Sequence, residues 1–566
     1  MGRPKVPKLL HSWPYLSALL GGALLSLCYP PHDHSGFVWV FLIPLLAALW
    51  LPPVQPRFPR LRGALLGYLF GLAFFGLTFG WFRVVHPAAI TIVFYLALFP
   101  AAFGAVAATI GRPGDAQLCP PARERDTSKW PGTIAAAGVS IRCATLNAAT
   151  WTGLEWLRGT LFTGFGWNGL GVAFHDDLLV LAQAADLIGV TGLSFLVVFS
   201  GTIFAATLRR LQLEIRSATM RPHLDFAIAV LLIIAFFFYG IAKTTVRPAA
   251  DPLELDALLV QANIPQEEKW DQAYVKEIYS IYQRLTLPIV STGEVDLVVW
   301  PEAALPLEYY YNHQFHQTYF NQLLAENDFS LIFGTNENAV GEGYFNSIMS
   351  MRGNIDSMQS YRKVHLVPFG EYVPFRGKIK PLNFLEELIG GDFDRGTSTE
   401  PLALTKPEPF TLIPTVCFED TIGRLTRKFV RPGPQLIVNC TNDGWFGESP
   451  CALQHMANAK FRCIELRRPM ARAANTGVTC IIDETGSLDD RRQPGYDPRL
   501  LTDGGPGANT FIEGFMATRI ALDRNPPITF YARFGDLFSI ACGIGALAAL
   551  ISPFLRRIPQ GRGSGQ

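Results

Sequence analysis

Charge is scarce in this sequence, and what there is nearly cancels. Of the 566 residues 17% are Asp, Glu, Lys or Arg, and the formal net charge is +1. No Lys- or Arg-rich stripe interleaved with aromatics runs through the chain, so the footprint of a nucleic-acid binder is missing. The nine cysteines are odd in number, scattered, and never spaced as C-x-x-C, which argues against both a zinc site and a disulfide scaffold. His32-Asp33-His34 could chelate a metal, but no third ligand accompanies it, and a solvated loop is the simpler reading. At 49% hydrophobic residues the chain is also too apolar for an ordinary soluble protein.

What is present is a series of long apolar runs, each near the ~20 residues that a bilayer-spanning helix needs. Seven are expected, at about 13–29, 36–52, 63–82, 88–110, 134–155, 179–208 and 225–242, and an eighth at about 535–555. The first is not read as a removable signal peptide, because Cys28-Tyr29-Pro30-Pro31 is no small-residue cleavage site. Arg142 falls within the fifth run; a helix starting a few residues late would let it reach the headgroups. Basic residues alternate between loops. Arg3, Lys5 and Lys8, then Arg57, Arg60 and Arg62, then Arg112, Arg123, Arg125 and Lys129, then Arg209, Arg210, Arg216 and Arg221, and finally Arg556, Arg557 and Arg562 share one side. The intervening loops are nearly bare, so both termini are expected in the cytoplasm and the polar domain outside, in the periplasm of a cell with two membranes.

Between about 253 and 522 the pattern changes to short apolar runs divided by polar helical stretches. Leu258–Ala262, Asp296–Trp300, Ser330–Gly334, Ser347–Met351, Thr411–Cys417, Gln435–Asn439 and Val478–Ile482 read as strands. Helical patterns at Gln272–Leu287 and Gln454–Arg467 lie between them, which argues for an α/β layered domain. The expected organisation is a membrane domain at 1–245, a catalytic domain at 250–525, a last span at 533–556 and a tail at 557–566.

Two of these strands and one further stretch run into reactive groups. Thr415-Val416-Cys417-Phe418-Glu419-Asp420 delivers a thiol beside two carboxylates; Trp300-Pro301-Glu302 ends at a carboxylate; Tyr361-Arg362-Lys363 sets a lysine ahead of a Pro/Gly turn. A lone cysteine is more often a small apolar side chain than a nucleophile, and a lone lysine an ordinary salt-bridge partner. Together they offer a nucleophile, a base and a positive charge.

Glu302, Lys363 and Cys417, in this order and context, resemble the Glu-Lys-Cys triad of the nitrilase superfamily. Trp300 to Ala304, Leu366 to Pro374, Thr441 to Gly447 and Arg472 to Gly477 narrow the resemblance to its membrane-bound apolipoprotein N-acyltransferase family. The resemblance implies a multi-span helical membrane domain carrying an extracytoplasmic α-β-β-α sandwich. It implies phospholipid-dependent N-acylation of the diacylglyceryl-cysteine of apolipoproteins through a Cys417 thioester, with ping-pong kinetics and no metal or organic cofactor. The partners implied are a membrane phospholipid as donor, the apolipoprotein as acceptor and the bilayer.

Glu302 would be the base, and Lys363 with the backbone N–H of Phe418 would hold the oxyanion. Glu371 would orient Lys363 and Glu419 would shape the site, although both could be purely structural. Trp270 and Trp445 match the acyl pocket and its mobile loop; a core position is the alternative for Trp270, and loop chemistry around Trp445 favours a gate. Two positions depart from the family's habit: Gly166 where proline is usual, and Phe418 where tyrosine is. The aromatic stretch 307–311 would add an apolar rim. A membrane-tethered amidase or nitrilase-like hydrolase is the alternative. A transporter is disfavoured because the spans show no paired charges.

Overall fold

Two compact units divide the chain, Met1–Ala242 with Asp536–Gln566, and Lys243–Gly535. The computed structural model describes residues 9–52, 56–120, 129–245, 251–305, 313–324, 327–339, 341–373, 392–489, 499–503 and 509–555. Arg3, Lys5, Lys8, Arg123, Arg125, Arg556, Arg557, Arg562, Pro374 and the stretch 307–311 lie outside the described residues.

The first unit is helical, and the chain is a membrane protein. Among the described residues four helical stretches are long and apolar enough to cross a bilayer, Pro59–Thr78, Pro87–Ala107, Ala185–Ser217 and Leu224–Thr244; shorter apolar helices lie at Ser35–Trp50 and Leu537–Ser552. Small residues let two of them touch backbone to backbone: a methyl group on Gly104 would strike the carbonyl of Gly63. Two sequence expectations need correction here. The helix carrying Arg142 does not start late but begins at Trp130 and runs to Arg158, because Pro131 supplies a first-turn residue that needs no N–H partner. Arg142 is therefore exposed well inside a helix, ~18 Å from its start at 1.5 Å per residue. Nor are the helices free of paired charges. Arg158 lies 3.8 Å from Glu155, and Arg210 lies 2.9 Å from Glu214 and 3.3 Å from Asp225. Both sets sit near helix ends, where the guanidinium groups also tie down connecting backbone: Arg158 donates to the carbonyls of Phe165 and Trp167 at 3.1 and 3.0 Å, and Arg210 to that of Pro222 at 3.0 Å.

The second unit is built on two sheets. Strands β1 (Leu253–Gln261), β2 (Leu297–Val299), β3 (Ser330–Ala339), β4 (Gly343–Arg352), β5 (Asn354–Arg362), β6 (Leu402–Leu404), β7 (Phe410–Val416), β8 (Gln435–Thr441), β9 (Met470–Ala474), β10 (Cys480–Ile482) and β11 (Gly514–Leu522) follow in order. One sheet runs β11-β1-β2-β3-β4-β5 and the other β10-β9-β8-β7-β6. β1 lies against β9 and β4 against β7, so the sheets form a sandwich. β1, β2 and β3 are parallel, as are β7, β8 and β9, and parallel neighbours need crossovers. Helices Val275–Val290, His313–Leu324 and Cys451–Leu466 supply three of them. Leu258, Val298, Phe333 and Met349 of the first sheet pack with Tyr282 and Phe320 of its helices, giving the α-β-β-α arrangement. The geometry has one functional consequence: the loops leaving the C-terminal ends of parallel strands gather polar groups at one edge.

Candidate active site

Cys417 is the first residue past β7. Its backbone turns into the left-handed region, with φ of +51°, a conformation that costs a β-carbon-bearing residue roughly 1–3 kcal/mol and persists only where the surroundings enforce it. Enforcement comes from β8 and from Glu419: Asn439 Nδ2 donates to the Cys417 carbonyl at 3.1 Å, and the Val416 N–H donates to Glu419 at 3.0 Å. Cys417 is half-buried, whereas Cys440, Cys451, Cys463 and Cys480 of the same unit are fully buried. Burial and the Glu302 charge push its thiol well above the ordinary range, while Lys363 pulls it back. At neutral pH the group is therefore a thiol rather than a thiolate, and attack requires a base.

Glu302 follows β2. The chain keeps pairing with β3 past the strand end, through Trp300 N–H to Ile332 at 2.8 Å and Ala304 N–H to Gly334 at 2.8 Å. Only glycine fits at 334, since a methyl group there would lie 2.6 Å from the Glu302 Cα. Glu302 is 8% exposed, and its Oε1 accepts from Asn346 Nδ2 at 2.8 Å. Its Oε2 is buried and accepts no hydrogen bond among the described residues. Burial pushes its carboxyl up, Lys363 draws it down, and Glu371 pushes it up again. A buried carboxylate with a spare oxygen is what a general base needs.

Lys363 is the first residue past β5 and is 1% exposed. Its Nζ lies 2.8 Å from Glu371 Oε1 and 4.0 Å from Glu302 Oε1. Burial works against its charge, but Glu371 and Glu302 more than offset this and hold the ammonium above its ordinary range. Asn346 joins the two carboxylates by donating also to Glu371 at 2.9 Å. The structure thus gathers Glu302, Lys363, Glu371 and Asn346 in one hydrogen-bonded group, from which Glu302 and Lys363 bear on the Cys417 thiol.

Glu419 is fully buried and accepts from the Tyr361 hydroxyl at 2.9 Å, from the N–H groups of Val364 and His365 at 2.8 Å each, and from Val416. It stitches the end of β5 to the end of β7, and so sets Lys363 beside Cys417 from behind; burial pushes its carboxyl up to about 7 against the pull of Lys363. Phe418 is 8% exposed, with its ring against His365. The two tryptophans are surface residues. Trp270 is 45% exposed and Trp445 53%, so the core alternative for Trp270 does not hold. Trp445 stands in a short turn, Asp443–Phe446, that follows β8.

Asn346 and Lys269 gave no local signal in the sequence. Asp420, Asp443 and Arg472 lie in stretches singled out there, but nothing local showed that they meet in a buried cluster, in which His455 bridges Asp443 at 2.8 Å and Asp420 at 2.9 Å, with Arg472 3.1 Å from Asp443.

Residues 21–203 match the apolipoprotein N-acyltransferase N-terminal domain, and residues 258–490 the carbon-nitrogen hydrolase domain. The apolipoprotein N-acyltransferase of Geobacter metallireducens is 32% identical over 560 residues, 96% of either chain. That of Nitrosomonas europaea is 33% identical over 551 residues, 92% of this chain and 96% of its own. A solved carbon-nitrogen hydrolase from Helicobacter pylori G27 overlays with a TM-score of 0.33 at 13% identity, covering 54% of this chain and 94% of that one. With identity above 30% sustained along nearly its whole length, this chain belongs to the apolipoprotein N-acyltransferase family.

Proposed function

We propose that the protein transfers an acyl chain from a membrane phospholipid to the α-amine of a lipoprotein's N-terminal diacylglyceryl-cysteine, in two steps through a thioester. In the first, Glu302 takes the Cys417 proton as sulfur bonds to the ester carbonyl carbon. The oxyanion forms beside Lys363 and the Phe418 N–H, where one such donor is typically worth ~3 kcal/mol. Collapse expels the lysophospholipid alkoxide, which takes its proton from Glu302. In the second step the acceptor amine attacks the thioester, Glu302 takes a proton from the nitrogen, and the thiol is regenerated. The observation that carries this reading is the unpaired Glu302 Oε2 in a buried group whose charges act on the one partly accessible cysteine among the five described in its unit. The exposed rings of Trp270 and Trp445 support an acyl-binding role.

Intact-mass spectrometry of the detergent-solubilised protein tests it. Phospholipid alone should load one acyl group on wild type and none on Cys417→Ala, while Cys440→Ala, Cys451→Ala, Cys463→Ala and Cys480→Ala keep the adduct. The acyl-enzyme should persist in buffer and discharge on addition of a diacylglyceryl-cysteine peptide, but not of its N-acetylated form. Rapid decay to free fatty acid at a rate the peptide leaves unchanged would instead make the protein a hydrolase.

The same reading puts both termini in the cytoplasm and the α/β unit in the periplasm, on the support of Arg57, Arg60, Arg62, Arg209, Arg216 and Arg221, which stand at or beside the ends of the helices Pro59–Thr78 and Ala185–Ser217. A reporter active only in the periplasm should work when fused after Ala242 and be silent after Arg557. The reverse pattern would separate Cys417 from these substrates.

A further inference from the structure

We propose that Lys269 is a positioning residue for Glu302: its ammonium group pins the peptide that follows the base and supplies the second positive charge that keeps the Glu302 carboxylate ionised. The inference rests on the assignment of Glu302 as the base.

Lys269 stands just past β1 and is 1% exposed. Its Nζ donates to the carbonyl oxygen of Glu302 at 2.9 Å, and among the described residues it makes no other hydrogen bond and no ion pair. Burying an ammonium group without a carboxylate against it costs several kcal/mol. Stability alone gives no reason for a lysine here, since an apolar side chain would fill the space without that cost. The burial is felt: it pushes the ammonium down to about 8, and Glu302 is the charge that opposes the shift.

The peptide it holds is a strained one. Ala303 takes φ of +46°, so the chain must be fixed on both sides for the Glu302 side chain to keep its aim. The Gly334 carbonyl accepts from Ala304 on one side, at 2.8 Å, and Lys269 binds the Glu302 carbonyl on the other.

Charge balance gives the second half of the case. The groups that bear on Glu302 are Lys363 and Glu371 from β5 and the loop after it, Asn346 from β4, Lys269 from the segment after β1, Cys417 after β7 and Cys440 in β8. Without Lys269, Glu302 and Glu371 share one cation. Two carboxylates around one lysine favour a proton on one of them, and Glu302, 4.0 Å from Nζ where Glu371 is at 2.8 Å, is the one left short. A protonated Glu302 cannot accept the thiol proton. Lys269 restores the balance to two cations and two carboxylates.

The test is the pH dependence of acyl-adduct formation on Cys417, followed by intact mass in the full-length, phospholipid-loaded protein. Lys269→Gln is the informative variant, because it removes the charge while keeping a polar donor on a shorter side chain; Lys269→Met removes both charge and donor, and Lys269→Arg keeps both. The expected result is that Gln and Met move the acidic limb of the profile to higher pH by about one unit, a tenfold loss below the limb, while Arg leaves the limb near wild type. Lys269→Met should lose further rate at every pH, since the peptide is also released. A limb that stays in place in both neutral variants, with rates lowered equally at all pH values, would overturn the charge role and leave Lys269 a packing residue. Adduct formation at the wild-type rate by Glu302→Gln would sink the underlying assignment instead, so the two failures are distinguishable.

Discussion

Two clusters of buried charge lie within the α/β unit, and they are finished to different degrees. In one, His455 sits between Asp443 and Asp420, and Arg472 lies 3.1 Å from Asp443 and 3.6 Å from Asp420. Two carboxylates meet two cations, and the loops after β7 and β8 are locked to the helix Cys451–Leu466 and to β9. In the other, among the described residues, Glu302 Oε2 accepts no hydrogen bond, Lys363 stands 4.0 Å from Oε1, and Lys269 is satisfied only by a carbonyl. Burial is similar in both, so burial does not separate them. Each also keeps one buried carboxylate oxygen without a hydrogen bond among the described residues, but Asp420 Oδ2 has the Arg472 guanidinium 3.6 Å away, whereas Glu302 Oε2 has no ion-pair partner there. A spare oxygen faced by a cation suits a cluster that holds loops in place, and one left open suits the proton acceptor proposed above.

The strongest way to break this contrast is to close the open cluster. Glu302→Gln keeps the shape and the Asn346 contact while removing the acceptor, and the rate of adduct formation should fall by about 10²–10⁴ with the unfolding midpoint little changed. An adduct formed at the wild-type rate would show that the spare oxygen has no part in the chemistry. The reverse operation opens the closed cluster. His455→Ala leaves Asp420 and Asp443 with Arg472 as their one shared cation, and removing one side of a buried ion pair typically costs ~3–5 kcal/mol. Thermal unfolding in detergent should report that loss, and because Asp443 begins the turn that bears Trp445, limited proteolysis should cut first near residues 443–447. An unaltered midpoint would mean that the cluster does not hold the fold.

The open cluster stood out in the sequence better than the closed one. Glu302 and Cys417 each follow an apolar run ending at a sheet edge, and Lys363 precedes a Pro/Gly turn, so local pattern marked all three. Asp420 and Asp443 stand in separate short turns, His455 on a helix and Arg472 on a strand, and only the fold brings them together. β9 was missed because Arg472 breaks its apolar run, and that arginine is tolerated there only because two aspartates receive it. β5 and β11 lie at the two edges of their sheet, where half-polar patterns suffice and hydrophobic periodicity is weak. The strand expected at Asp296–Trp300 was visible for the opposite reason: β2 is central, parallel and buried throughout. Lys269 and Asn346 carry no strand-end signal, and their importance follows from which carbonyl or carboxylate each reaches.

The closed cluster should also reveal itself by titration, in the direction opposite to that of a buried acid. Burial disfavours the His455 imidazolium, but Asp420 and Asp443 outweigh it and raise the group to about 9. In the unfolded chain its value would be ~6.5. A folded value above the unfolded one means that the native state binds the proton more tightly, so the stabilisation is complete below pH ~6.5, declines as pH rises, and is gone above about 9. The full swing is on the order of 3 kcal/mol, the equivalent of a shift of roughly two and a half pH units. Unfolding midpoints of the wild type should therefore fall between pH 6.5 and 9, whereas His455→Asn, uncharged at every pH, should be less stable at pH 6 and nearly flat across that range. If the two proteins lose stability in parallel, the proton is not held between the aspartates and the pairing inferred from the geometry is wrong.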